Sequence, residues 1–212
     1  MVKAYNNVPS IKSGTNKQLQ LYLEAICNNQ DVQIENASQN LREEIIKRFE
    51  RAIAMLYRKD RFLLEHKMNE VNVCGRLAIY LQKQFKDFKG YFVDIEYYML
   101  SVTPEEYQGG NTGRIRIDII LHSRGNNGSR ADILMAVEAK YKAKRNTGNY
   151  DKRRLQELTA LYSPNSPTDA VHSTLVGVFI RFNESECKMT FFSSGNRNEE
   201  KEYKVKNRTH KQ

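Results

Sequence analysis

The chain has no long apolar run. The longest uninterrupted stretch in its second half, Leu175 to Ile180, is far short of the roughly 20 residues that span a bilayer. Its opening, Met-Val-Lys-Ala-Tyr-Asn-Asn, lacks the apolar segment of a secretory signal. Cysteine is scarce: Cys27, Cys74 and Cys187 are odd in number, widely spaced and form no CxxC pair. A disulfide framework is therefore not expected, and reduced, structural thiols in a cytoplasmic protein are. Without a secretory route, the glycosylation patterns at Asn127 and Asn183 are chance matches. Four scattered histidines leave zinc chemistry little to build on. There is also no phosphate-binding glycine loop, no Ser-His-Asp set, no helix-turn-helix and no zinc finger. Acidic excess is missing too. The 34 Lys and Arg against 25 Asp and Glu give a formal charge of +9, which favours a polyanionic partner over an acidic small molecule.

What is present is an ordinary globular composition, 40% hydrophobic and 28% charged over 212 residues, enough for one domain with an appendage. Residues 1–60 read as a helical N-terminal extension, 61–195 as the core and 196–212 as a charged, frayed tail. In the extension, Thr15 could cap a short helix over Leu19 to Ile26. A stronger helix near 38–58 repeats Leu41, Ile45, Phe49, Ala52, Ile53 and Leu56 at three- and four-residue steps. Such an appendage could serve a homodimer, a substrate contact or a lid on a sheet. Next comes a helix over 69–87 with the stripe Cys74, Leu77, Ala78, Leu81 and Phe85. A strand at 91–100 then alternates Tyr91, Val93, Ile95, Tyr97 and Met99 against Asp94 and Glu96. Pro104 to Gly113 is a loop, and strands follow at 114–122 and 132–141, joined by a glycine- and asparagine-rich turn. A helix over 149–162 leads to Leu175–Ile180, a strand buried on both faces, so the connection is a parallel crossover. A last strand spans 188–192. The class is a mixed α/β sheet with helices packed on it.

The chemistry concentrates on two of these strands. In Ile117-Asp118-Ile119-Ile120-Leu121-His122 the odd positions are apolar and Asp118 takes the other face. After 19 intervening residues, Val137-Glu138-Ala139-Lys140 places Glu138 and Lys140 together on one face. If the strands pair through the turn, two carboxylates and an ammonium converge. Carboxylates so close repel unless a cation or proton relieves them. Hard divalent cations held by such groups supply what phosphodiester hydrolysis needs, and a lysine can steer water and offset phosphate charge. Strand ends also carry acids and lysines for solubility alone. Glu70 extends the stripe 70, 74, 77, 81, 85 toward the sheet. It could serve the site, or simply the positive end of the helix dipole.

Asp118, then Glu138-Ala139-Lys140, with Glu70 on a preceding helix, resembles the P-D…(D/E)-x-K nuclease superfamily. The segments Glu70–Leu81, Val93–Tyr97, Asp118–Gly125 and Glu138–Lys140 are similar to small bacterial and phage-associated members, and the likeness spans roughly 60–182. It implies a restriction-endonuclease-like αβββαβ core and a nuclease using Mg2+ or Mn2+. Asp118, Glu138 and Glu70 would be metal ligands and Lys140 the catalytic lysine. Ile117 stands where the family has proline, a residue that shapes backbone and ligates nothing.

Lesser candidates surround these. Asp94 reads as a solvated edge, and Glu96 as either edge or site. His122 shares the face of Asp118 but lies about 13 Å along the strand, so it is a loop-end residue or phosphate contact rather than a ligand. Lys142, Lys144, Arg145, Lys152, Arg153 and Arg154 could track a phosphate backbone or form a solvated helix face. Gln156 sits where related enzymes often keep a polar supporting residue. The expected function is a metal-dependent nuclease acting on DNA. The competing readings are a non-catalytic nucleic-acid-binding module of the same fold and an interaction subunit of a larger assembly. Specificity would come from loops such as Thr103–Gly113 and from the N-terminal helices.

Overall fold

In a computed structural model, residues 21, 23, 31–66, 68–100, 114–125, 132–141, 148–160 and 174–204 are described. The elements are α1 (Asp31–Lys59), α2 (Arg61–Glu65), α3 (Glu70–Gln84), β1 (Phe92–Leu100), β2 (Arg114–His122), β3 (Ile133–Tyr141), α4 (Asn149–Ala160), β4 (Thr174–Phe182), β5 (Glu186–Ser193) and β6 (Asn196–Lys204). The Thr15 cap, the Pro104–Gly113 loop, Lys142, Lys144, Arg145 and Cys27 lie outside the described residues. Of the first expected helix, Leu21 and Leu23 are described, both helical.

The described strands form one six-stranded mixed sheet in chain order. Every neighbouring pair is antiparallel except β3–β4, which is parallel and bridged by α4. The expected crossover is there, and β4 is buried along nearly its whole length, as its unbroken apolar run implied. The α1 stripe and the α3 stripe pack together on one face, against Val137, Ala139, Val176, Val178 and Ile180. On the other face α4 sets Leu155 and Leu158 against Ile117, Ile120, Ala136 and Phe179. The result is an α/β/α sandwich, the usual way to cover a sheet with a parallel pair.

Two boundaries shift. Helix α1 takes the lid role, one of those expected of the extension, and in covering the sheet it joins the core. Leu41, Ile45, Phe49, Ala52, Ile53 and Leu56 are all fully buried in the main core. Arg48, also fully buried, pairs with Asp87 through both guanidinium nitrogens (Nη2–Oδ2 2.8 Å) and with Glu44 at 2.9 Å. That bidentate link clamps α1 to the turn after α3. The Tyr57 hydroxyl donates to the carbonyls of Asn183 and Glu186, tying α1 to the β4–β5 turn. The second correction concerns the expected tail. Residues 196–204 form edge strand β6, turned back at Ser194 (φ 49°) and Gly195 (φ 73°), two consecutive positive-φ residues as a tight hairpin requires. Its charges read as frayed sequence, yet they decorate an edge strand in the way that discourages intermolecular pairing. Lys201 reaches Glu50 on α1 at 2.6 Å.

The strict alternation expected for β1 and β2 also fails at one point. Val93 joins the core under α1 and α3, whereas Tyr97 and Met99 join the α4-side core. Likewise Ile119 and Leu121 face the first core and Ile115 and Ile117 the second. The ladder skips the pair Glu96–Asp118 without changing register, and Glu96 has φ 52°. An αL residue inside a strand re-aims everything beyond it. Asp118 therefore sits at the point where the two strands exchange faces. Among the described residues no helix is long and apolar enough to cross a membrane.

Phe49 meets Phe191 edge-on at 6.2 Å between ring centres. If α1 belongs to the core, Phe49→Ala should cost about 3–5 kcal/mol in a single denaturant transition. A separate early transition for the helix, with the sheet unaffected, would contradict this assignment.

Candidate active site

Helix α3, the β2–β3 pair and helix α4 bring the functional side chains together. Asn69 starts α3: its backbone is extended and its side chain accepts from the Asn72 amide at 2.9 Å, an N-cap that aims Glu70 at the C-terminal end of β3. The β2–β3 ladder runs from Ile119↔Val137 toward the turn. Carried one step back, its register sets Asp118 opposite Glu138. There the Asp118 carboxylate itself accepts the Ala139 amide, at 2.7 Å. The third element, α4, is seated by Gly148 at φ 93°, where a Cβ would fall 2.2 Å from the Phe179 ring.

The cluster that results contains Glu70, Asp118, Glu138 and Lys140, as expected, and two residues from α4. Lys140 Nζ lies 3.5 Å from Glu70 and 3.4 Å from Asp151. Arg154 Nη2 lies 2.7 Å from Asp151 and 3.0 Å from Glu138, and its Nη1 is 3.4 Å from the Arg116 carbonyl. The second Glu70 oxygen accepts the Tyr141 amide at 3.0 Å. Four carboxylates against two bases leave a formal charge of −2 in a small volume.

Glu138 carries most of the tension. It is 2% exposed and Asp118 is 7% exposed. Its contact with Arg154 is an ion pair without hydrogen-bond alignment: among the described residues, Glu138 Oε1 accepts no hydrogen bond and Arg154 Nε donates none. Burial pushes the Glu138 carboxyl up to about 9. Arg154 opposes this shift, and the neighbouring Asp118 and Asp151 reinforce it. Burial works against charge on Lys140 also, but Asp151, Glu70, Asp118 and Glu138 outweigh it and hold the ammonium above its ordinary range. Lys140 is thus a fixed positive charge and a hydrogen-bond donor.

The lesser candidates mostly fall elsewhere. Glu96 pairs with Arg116 at 2.8 Å and faces the Asp118 position across the β1–β2 ladder. His122 is 1% exposed, bonded to Asp94 at 2.8 Å and set edge-on to Tyr97. This makes it a structural loop-end residue, too buried for a phosphate contact. Asp94 is not simply solvated, for it also holds Arg124 at 2.9 Å. Gln156 is exposed, because the helical repeat turns Asp151, Arg154, Leu155 and Leu158 inward instead. Arg153 pairs along its own helix with Glu157 at 2.8 Å. Lys152 lies 4.9 Å from the Phe179 ring centre; burial, with Arg181 and Arg197 nearby, lowers its pKa. Asp151 was the residue missed. A signal existed, since 151, 154, 155 and 158 extend the α4 stripe in the way that 70 extends the α3 stripe. Cys74, beneath the site, and Cys187 are free and buried, as expected.

Among the described residues no three acidic, histidine or cysteine side chains are grouped so as to hold a metal ion. Glu70 is committed to Lys140 and the Tyr141 amide, so its expected role as a ligand does not follow from this geometry. A two-carboxylate site remains. Mg2+ is commonly bound through one or two carboxylates, with water and substrate phosphate completing its shell. Asp118 and Glu138 fit that requirement, being neighbouring, buried and acidic, with one Glu138 oxygen unsatisfied.

The raised Glu138 pKa has a consequence for stability. The folded state keeps a proton that the unfolded chain releases near 4.5, so stability should fall as pH rises from 4.5 toward about 9 in metal-free protein. The paired acids Asp60, Asp87 and Asp94 are held below 3.8 and titrate outside that window. Glu138→Gln should flatten this dependence in denaturant titrations at several pH values. An unchanged slope would show that Glu138 is already ionised.

The chain matches no family model, no curated protein and no solved structure.

Proposed function

We propose that the protein is a metal-dependent nuclease with a restriction-endonuclease-like core, hydrolysing phosphodiester bonds in DNA with Mg2+ as cofactor. The observation that carries this reading is the placement of Asp118 and Glu138. Two adjacent, buried carboxylates stand where β2 and β3 part, with a charged lysine beside them. Structural acids are normally exposed or fully paired; both of these are buried, and one Glu138 oxygen is left unsatisfied among the described residues.

A divalent cation held by Asp118 and Glu138 would supply charge neutralisation at the phosphate and acidify an attacking water. The chain's own groups do the rest. Lys140, kept protonated by its four acidic neighbours, donates a hydrogen bond to a phosphate oxygen or to the water and holds it in line. It is not suited to removing a proton. Glu70 and Asp151 fix the lysine from α3 and α4, so its reach is set by two helices rather than by a free side chain. Lys152 and the net charge of +9 suit a polyanion lying across the α4 side. Attack by water is direct, since none of the six side chains that form the cluster, Glu70, Asp118, Glu138, Lys140, Asp151 and Arg154, is a hydroxyl or thiol nucleophile.

A second reading is a binding module that keeps the fold without cutting. One observation favours it: Glu138 is engaged by Arg154 rather than grouped with two other ligands.

Purified protein incubated with circular or single-stranded DNA and Mg2+ or Mn2+ separates the two. Cleavage should occur, and Asp118→Ala, Glu138→Ala and Lys140→Ala should each reduce it by at least about a hundredfold while DNA binding persists. Binding without metal-dependent cutting by the wild type would favour the module.

A further inference from the structure

Among the described residues Arg154 is the one cation that touches the most buried acid of the cluster, and it does so poorly. Its firmest contact is with Asp151, at 2.7 Å one turn earlier on the same helix. Its contact with Glu138 is 3.0 Å without hydrogen-bond alignment, its Nε is unpartnered among the described residues, and its remaining nitrogen makes a long 3.4 Å contact to the Arg116 carbonyl. A guanidinium built to bind a carboxylate permanently does so in bidentate fashion. The protein makes such a pair elsewhere, between Arg48 and Asp87.

We propose that Arg154 is a displaceable cationic occupant of the site, its guanidinium resting against Glu138 until a divalent cation binds Glu138 and Asp118 and takes its place. This rests on the reading of the site as metal-dependent and adds a residue to it. The geometry suits exchange. Moving away from Glu138 gives up a misaligned ion pair, while the Asp151 anchor and the α4 backbone stay as they are. Glu138 is never left buried and uncompensated in either state, which would otherwise be costly. The arrangement also accounts for Asp151. Tethered to both Lys140 and Arg154, it keeps the released guanidinium within the site, where a phosphate would be met by two cations instead of one.

The test is calorimetric titration of Mn2+ into wild type, Arg154→Met and Arg154→Lys, with folding checked by circular dichroism. A competing counter-ion predicts that Arg154→Met binds Mn2+ at least about tenfold more tightly than wild type. Arg154→Lys, which keeps the charge, should stay near wild type. Unchanged or weaker binding in a folded Arg154→Met protein would overturn the proposal, leaving Arg154 a purely structural tie. Glu138→Ala separates this from failure of the functional reading. If that variant loses Mn2+ while Arg154→Met matches wild type, the metal site stands and the exchange falls. If no protein in the series binds Mn2+, both fall. Binding by Arg154→Met alone would make the arginine a complete block and support the exchange.

Discussion

Carboxylates held out of water in each other's company must be compensated, and the centre of this molecule is organised around meeting that demand at Asp118 and Glu138. The strands carrying them cannot simply continue their ladder, because the Asp118 side chain takes the Ala139 amide. The partner strand β1 bends through a positive φ at Glu96. Helix α3 delivers a third acid to one side and helix α4 a fourth to the other, with Lys140 and Arg154 interleaved between them. Positive charge reaches the site from two elements, yet not enough to cancel the negative charge.

The remainder of the fold makes that concentration tolerable. Acids in the interior destabilise, and the chain offsets this with a long covering helix whose whole apolar stripe is buried. A bidentate arginine and a tyrosine hydroxyl fasten that helix to distant turns. Gly148 lets the start of α4 sit against Phe179, so Asp151 arrives on a rigid first turn. A site on such supports is held more closely than one carried by loops.

Much of this was legible in the residues. The α1 and α3 stripes, the buried β4 run and the parallel crossover followed from periodicity, since each depends on which face meets a neighbour. Glu70 and Asp118 with Glu138-Ala139-Lys140 were legible as a convergent set for the same reason. What was not legible depended on pairing partners rather than on local pattern. The face exchange at Glu96 and Asp118 is a backbone event that no side-chain alternation announces. Strand β6 looks like a solvated tail because its charges are satisfied across the sheet and by Glu50 on α1. His122 shows no sign in sequence of being buried against Asp94 and Tyr97. Arg154 was grouped with its basic neighbours, and only its inward turn beside Asp151 distinguishes it from Arg153.

Anomalous diffraction from crystals grown with Mn2+ tests the central claim most directly. A peak bridging the Asp118 and Glu138 carboxylates, with the remaining ligands supplied by solvent, is the result this account requires. Fully ordered carboxylates with no peak between them, at Mn2+ concentrations that saturate other sites on the molecule, would contradict it.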